Sequence, residues 1–335
     1  MCPTFKATGS ELDTPRARAN IIREMLSFSC ADDPLSENIV KNALDNCLMC
    51  KACKRECPSN VDITKLKSEV LQHHYDKHGY PLSVLMINSL PKFQQVGSMF
   101  PSIYNWFVSN ALTSSALKAL MGFASQREIP KIYPCNFSKQ FDQATKAKGR
   151  TIYLFIDEFS RFQDTSIAKT AIKLFSALGF EVKQAPIEES GRMAISKGMV
   201  KRAKRLAERN VGILRELISE QTPLVGIEPS TTLSFRDEYP DLLGEDISSL
   251  SQNVFLFDEF IAKQADLGVI TPELFTDKKQ HILLHGHCQQ KALTGTEFME
   301  RMLCIPTNYS VEVIPSGCCG MAGSYGYEKR HYEMS

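Results

Sequence analysis

The chain has 335 residues, enough for two or three domains that each bury a core. Apolar content of 43% and charged content of 23% are those of a folded globular protein, and a net charge of +1 argues against a nucleic-acid partner. Eleven cysteines, no apolar leader and no run of about 18 apolar residues argue against a secreted disulfide scaffold and a membrane-spanning chain. They point instead to metal ligation in a reducing, cytoplasmic setting.

In chain order, Cys2-Pro3 opens the sequence, and Asp13-Thr14-Pro15 reads as a capped helix start. Apolar residues at helical spacing carry that helix through Ile21, Ile22, Met25 and Leu26. A second helix over 38–44 delivers the chain to Cys47-Leu-Met-Cys50-Lys-Ala-Cys53-Lys-Arg-Glu-Cys57-Pro58, and a third runs from Ile63 to Tyr75. The cysteine run reads C-x2-C-x2-C-x3-C-P, the spacing by which thiolates hold cubane iron–sulfur clusters. A zinc knuckle and a disulfide framework are the rivals. Neither predicts four cysteines within eleven residues ending in Cys-Pro.

Residues 76–149 form a helical connecting region, expected to be broken into short pieces by prolines 81, 91, 101, 130 and 134. Ile103 to Phe123 reads as one amphipathic helix that touches a neighbouring domain in preference to a membrane. Cys30, Cys135 and Cys304 read as unliganded, with Cys304 a buried small hydrophobe.

From 150 onward, strands and helices alternate, which implies α/β layers on a mostly parallel sheet. Strands are expected over 151–156, 180–185, 224–227, 254–257, 281–284 and 311–315, with helices over 166–178 and 196–219. This half reads as an internal repeat with lobes at about 150–245 and 250–335. Ser190-Gly-Arg-Met193-Ala194-Ile-Ser196-Lys-Gly198 aligns with Cys318-Cys319-Gly320-Met321-Ala322-Gly-Ser324-Tyr-Gly326, keeping Met-Ala-x-Ser-x-Gly in phase. In that alignment the Cys318-Cys319 pair corresponds to Ser190 and Gly191, and His287-Cys288 faces Glu158-Phe159 or its neighbours. Cys288, Cys318 and Cys319 then suit an incomplete iron–sulfur shell, with His285, His287, a residue of the first lobe or solvent as the fourth ligand. Zinc with three cysteines and a histidine, or a vicinal disulfide, are the alternatives.

The Cys-Pro segment together with Ser316-Gly-Cys-Cys-Gly-Met-Ala-Gly-Ser-Tyr-Gly-Tyr-Glu328 resembles the iron–sulfur portion of flavin-linked 2-hydroxy-acid dehydrogenases. These include the D-2-hydroxyglutarate and D-lactate type, the glycolate oxidase iron–sulfur subunit and the anaerobic glycerol-3-phosphate dehydrogenase iron–sulfur subunit. The cysteine-rich part is similar to the CCG domain of heterodisulfide reductase. The resemblance implies a helical ferredoxin-like 4Fe–4S domain at 1–75, followed by a two-lobed α/β cysteine-rich domain at 150–335 built from the repeat. It implies that Cys2 completes one 4Fe–4S cluster with Cys47, Cys50 and Cys53. Cys57 then belongs to a second cluster whose other cysteines would lie upstream, so the chain reads as a fragment. A short subunit with one cluster on Cys57 itself is the rival. Where some relatives carry a cysteine after Glu-Pro-Ser, this chain has Thr231.

The implied activity is electron transfer within an oxidoreductase acting on CH–OH donors. Electrons from a 2-hydroxy acid or glycerol 3-phosphate pass through FAD and the clusters to a quinone or another carrier. No G-x-G-x-x-G follows a strand, so FAD is expected on a partner dehydrogenase domain or on missing sequence. Membrane contact is at most peripheral, on the cytoplasmic membrane. A heterodisulfide-reductase-like catalytic subunit and a zinc-binding scaffold are the competing functions.

Overall fold

The computed structural model describes residues 2–144, 149–244 and 246–335. The end of the expected connecting region (145–148) and the end of the first lobe (245) lie outside them. Along the chain come helices α1 (Pro3–Thr8), α2 (Pro15–Phe28), α3 (Asn38–Asp45), α4 (Ala52–Glu56), α5 (Ile63–His78), α6 (Leu82–Gly97), α7 (Pro101–Ser109), α8 (Ala111–Met121) and α9 (Phe137–Ala144). The alternating part follows as β1 (Thr151–Phe155), α10 (Thr165–Ala177), β2 (Glu181–Gln184), α11 (Arg192–Ser196), α12 (Val200–Leu214), β3 (Leu224–Gly226), α13 (Pro229–Leu243), α14 (Ser248–Ser251), β4 (Val254–Leu256) and α15 (Phe257–Asp266). Last come β5 (Gln280–Leu284), α16 (Cys288–Leu293), α17 (Glu297–Leu303) and β6 (Tyr309–Val313).

These elements fall into two compact units. One comprises residues 1–131, 193–203 and 317–335, and the other 132–192 and 204–316. The first unit therefore combines the cysteine-motif helices with the C-terminal segment that carries Cys318 and Cys319.

In the first unit, α2 starts where the sequence indicates: the Thr14 hydroxyl accepts from the Ala17 amide at 3.1 Å, and Pro15 occupies the first turn. The connecting region departs from expectation. Pro91 sits inside α6 and does not end it. The stretch 103–123 is two helices, because the Asn110 side chain accepts from the Leu112 and Thr113 amides and starts α8 afresh. Helices α6 to α8 pack through Ile87, Val108 and Met121, joined by Phe123 and Ile129.

In the second unit, four parallel strands lie in the order β2-β1-β3-β4, and β5 pairs in parallel with β6 as a separate sheet. Strand β4 lies beyond residue 245 yet pairs with β3, so the first sheet takes in a strand from the range expected for the second lobe. Near-continuous burial of Ile152, Leu154 and Phe155 on β1 is what a central parallel strand with helices on both faces requires. One face packs on α10 and α15 through Phe175, Phe180 and Phe260, whose rings meet edge-to-face at 5.3–6.1 Å. The other face packs on α12 and α13 through Val211, Leu214, Phe235 and Tyr239.

The expected helix over 196–219 is shorter, Val200–Leu214. Gly198 (φ 70°) turns the chain between α11 and α12, and a Cβ there would lie 2.2 Å from that of Leu71. Cys304 is exposed after α17, not a buried hydrophobe, because that helix keeps none of its residues buried.

Candidate iron–sulfur site and buried acid cluster

The cysteine motif of the first unit forms a tight loop between α3 and α4. Met49 (φ 56°) and Lys51 (φ 60°) both adopt the left-handed conformation, unusual for residues with a Cβ. Two such turns in three residues curl the chain so that Cys47 and Cys50 face inward, where they are buried or half-buried. Cys53 rides on α4, and Cys57 ends that helix with its amide bonded to the Cys53 carbonyl at 3.0 Å. Cys2 comes in from the start of α1; its Sγ lies 3.1 Å from the Thr4 hydroxyl and accepts from Arg18 Nη1 at 3.6 Å.

Buried cations frame the loop. Arg18 is 1% exposed; it donates to Cys2, to the Thr4 hydroxyl at 3.0 Å and to the Ala43 carbonyl at 3.1 Å, and it pairs with Asp13. The Lys67 ammonium donates to the carbonyls of Asp45 (3.2 Å) and Cys47 (2.8 Å), pinning the start of the loop. Lys51 is fully buried against Asp62 at 3.5 Å, and Lys54 approaches the same carboxylate at 3.8 Å.

The thiols feel one another. Burial pushes Cys50 up to about 12, and the neighbouring charges of Cys47, Cys318 and Cys2 push the same way. Burial also raises Cys53, reinforced by Cys47 and Asp62. Burial would raise Cys2 too, but the Thr4 hydroxyl, the Phe5 and Thr4 amides and Arg18 outweigh it and hold that thiol below its ordinary value. The structure thus brings Cys2, Cys47, Cys50 and Cys53 into one electrostatic neighbourhood, with Cys318 acting on Cys50.

Among the described residues, no group of three or more His, Cys, Asp or Glu side chains is arranged to hold a metal ion. A cubane is wider than an ion and sets its thiolates further apart. A set of thiols from two loops, backed by buried cations that offset its negative charge, has the chemistry that such a cluster requires.

The segment bearing Cys318 and Cys319 is fixed to the same unit by four residue pairs. The Tyr325 hydroxyl donates to the Asn46 carbonyl at 3.1 Å, and its ring stacks on His331 at 3.8 Å. Arg330 pairs with Asp45, and Lys197 with Glu328. No disulfide joins Cys318 to Cys319.

In the second unit, His287 precedes α16 with Nε2 at 3.6 Å from Glu228, and burial lowers its basicity. His285 Nδ1 lies 3.0 Å from the Ser316 hydroxyl, and Cys288 begins α16.

This unit also holds a buried acid cluster, missed by sequence reasoning. It lies where β1 and β3 end, which in a β2-β1-β3-β4 sheet is the point where strand order reverses. Glu158 accepts from the Ser190 hydroxyl at 2.8 Å and from its amide at 3.1 Å. Asp157 caps the next turn through the Phe159 and Ser160 amides. Buried Arg192 pairs with buried Glu238. Burial pushes Asp157 up to about 6, aided by Glu228, and Glu158 up to about 7, aided by Asp157. The available signal was the pair of carboxylates directly after a largely apolar strand.

Residues 1–61 match the family of 4Fe–4S dicluster domains. The first part of the chain is thus similar to iron–sulfur domains. Over its full length the chain is similar to D-2-hydroxyglutarate dehydrogenase of Escherichia coli (strain K12), at 25% identity over all of this chain and 37% of that protein. It is 25% identical to one subunit of the anaerobic glycerol-3-phosphate dehydrogenase of the same organism, over 83% of this chain and 71% of the relative. A stretch of 60 residues is 38% identical to the glycolate oxidase iron-sulfur subunit of that organism, spanning 18% of this chain and 14% of that one. The chain spans just over a third of the length of the D-2-hydroxyglutarate dehydrogenases that it matches. No solved structure matches the chain.

Proposed function

We propose that this chain is the electron-transfer module of a flavin-linked oxidoreductase that oxidises a 2-hydroxy acid or glycerol 3-phosphate. The observation that carries the reading is the shared neighbourhood of Cys2, Cys47, Cys50 and Cys53 under Arg18 and Lys67. These four thiolates would hold one 4Fe–4S cluster, and Cys57 is a donor to a second. When bound, a cubane supplies one-electron steps, which suits it to relay the electron pair of a reduced flavin to a quinone or other carrier. The protein's own part is to set charge: Arg18, Lys51 and Lys67 offset the thiolates' negative charge and favour the reduced state. FAD is assigned to a partner domain or subunit.

Cys318 and Cys319 in the first unit, and Cys288 in the second, are further proposed thiolate donors, each for iron–sulfur in preference to zinc, with His285 and His287 as secondary candidates. The internal repeat supports this assignment. Each half of the proposed repeat has a parallel strand pair before its Met-Ala-x-Ser-x-Gly loop.

Anaerobic purification with iron, acid-labile sulfide and zinc analysis tests the reading. Iron with matching sulfide, and loss of the visible charge-transfer band in Cys47→Ser, is the expected result. Zinc without sulfide overturns it in favour of a scaffold.

A further inference from the structure

In the first unit, His331 is only 2% exposed, yet neither of its ring nitrogens has a hydrogen-bond partner. A buried polar ring left in this way is rare in a folded chain and calls for a reason. Two carboxylates flank it just beyond hydrogen-bond reach: Glu328 lies 3.7 Å from Nδ1 and Asp45 lies 3.9 Å from Nε2. A neutral imidazole can donate to only one of them. An imidazolium can donate to both.

The surroundings balance the two forms of the ring. Its own segment brings Glu328 and Arg330, and Arg330 pairs with both carboxylates. Helix α3 brings Asp45, α5 brings Lys67 and Tyr75, and α11 brings Lys197, which pairs with Glu328. Helix α1 also packs on this segment, and its single charged residue, Lys6, is exposed. Burial pushes the imidazole down to about 4; Arg330 and Lys67 press the same way, while Glu328 and Asp45 oppose them. The ring is therefore neutral at pH 7 with two anions already in place, and negative charge added nearby favours the imidazolium.

That charge belongs to the cysteine loop. The Tyr325 ring stacks on His331 with centroids 3.8 Å apart and planes 7° from parallel, and its hydroxyl donates at 3.1 Å to the carbonyl of Asn46, the residue before Cys47. Burial raises the Tyr325 hydroxyl, and the charge of Cys47 is the next contribution. Lys67 makes a second link, since its ammonium donates to the carbonyls of both Asp45 and Cys47.

We propose that His331 is the proton acceptor coupled to reduction at the Cys2, Cys47, Cys50 and Cys53 site. Each electron delivered there by a reduced flavin is matched by one proton from solvent, which binds the bare ring nitrogen of His331. Reoxidation by the carrier returns the electron and the proton. The N–H bond on the imidazole is the only covalent bond made or broken in this chain. His331 touches no proposed ligand and acts through charge, as a positioning residue. The inference rests on the iron–sulfur reading.

The test is the midpoint potential of the full chain carrying its cluster, titrated with dithionite under electron paramagnetic resonance from about pH 5.5 to about pH 8. One proton per electron changes the reduction equilibrium tenfold per pH unit, which is 59 mV for a one-electron couple. The wild-type potential should fall with a slope approaching that value. His331→Phe keeps the stack on Tyr325 and removes no hydrogen bond of the ring, and His331→Gln keeps a neutral polar group; both should hold the cluster with a flat profile. His281→Gln, an exposed histidine of the other unit, should keep the wild-type slope. A slope that persists in both His331 variants overturns the proposal. Loss of the cluster in His331→Phe also overturns it, in favour of a structural ring. A wild-type cluster with a pH-independent potential overturns this inference alone, whereas a wild-type chain without iron and sulfide overturns the iron–sulfur reading and this inference with it.

Discussion

Replacing Glu158 with glutamine removes one buried charge and nothing else of size. Glu158 is 3% exposed, and its neighbours are Asp157, Ser190, Arg161 and Tyr239. Glutamine can accept from the Ser190 amide and donate to its hydroxyl, so both contacts survive the change. The carboxyl titrates at about 7 in the fold against an ordinary 4.5, chiefly because burial disfavours its charge. A raised acid binds more protons folded than unfolded, so its contribution is fully present below about pH 4.5 and is lost as pH rises through about 7. The difference corresponds to up to about 3 kcal/mol. Urea unfolding followed by circular dichroism should therefore show wild-type stability falling between about pH 5 and about pH 8, with Glu158→Gln falling less, since Asp157 still titrates from its raised value. At the upper end the variant should equal or exceed wild type. Wild type and variant curves that stay parallel across that range would refute a protonated, buried Glu158.

Arg192→Met strands the Glu238 carboxylate and should cost about 3–5 kcal/mol in unfolding free energy, most of it recovered in the Arg192→Met/Glu238→Leu double variant. Gly226→Ala places a Cβ 1.9 Å from the Thr232 hydroxyl at the end of β3, so unfolding should show a loss of about 1–3 kcal/mol. Lys67→Met removes both hydrogen bonds to the Asp45 and Cys47 carbonyls; a lower urea midpoint and faster loss of iron to a chelator are expected, with a loss of about 1–3 kcal/mol.

What the sequence made legible was local. Thr14 followed by Pro15 marks a helix start because cap and proline act within one turn. The cysteine spacing is legible for the same reason: one short loop must bring its thiolates to one face. The helix break at Asn110 was available in principle, since Asn before an apolar run is a capping signal, but the continuous apolar periodicity across 103–123 masked it. Nonlocal facts were out of reach. Nothing in Val254-Phe-Leu256 says which strand it joins, because parallel pairing is set by a crossover connection. The attachment of Tyr325 to Asn46 spans 279 residues, and the pairing of Glu158 with Ser190 spans 32. Sequence pattern marks apolar residues as buried; it does not mark a carboxylate buried with its partner.

In the proposed ligation, Cys2 works with the motif cysteines while Cys57 serves elsewhere. Electron paramagnetic resonance of the dithionite-reduced full chain, with spins counted against iron, tests it in Cys2→Ser and Cys57→Ser side by side. Cys2→Ser should lose or alter the signal of the cluster held with Cys47, Cys50 and Cys53, and Cys57→Ser should retain it. A signal that survives Cys2→Ser and vanishes in Cys57→Ser would instead assign the cluster to the four-cysteine loop alone.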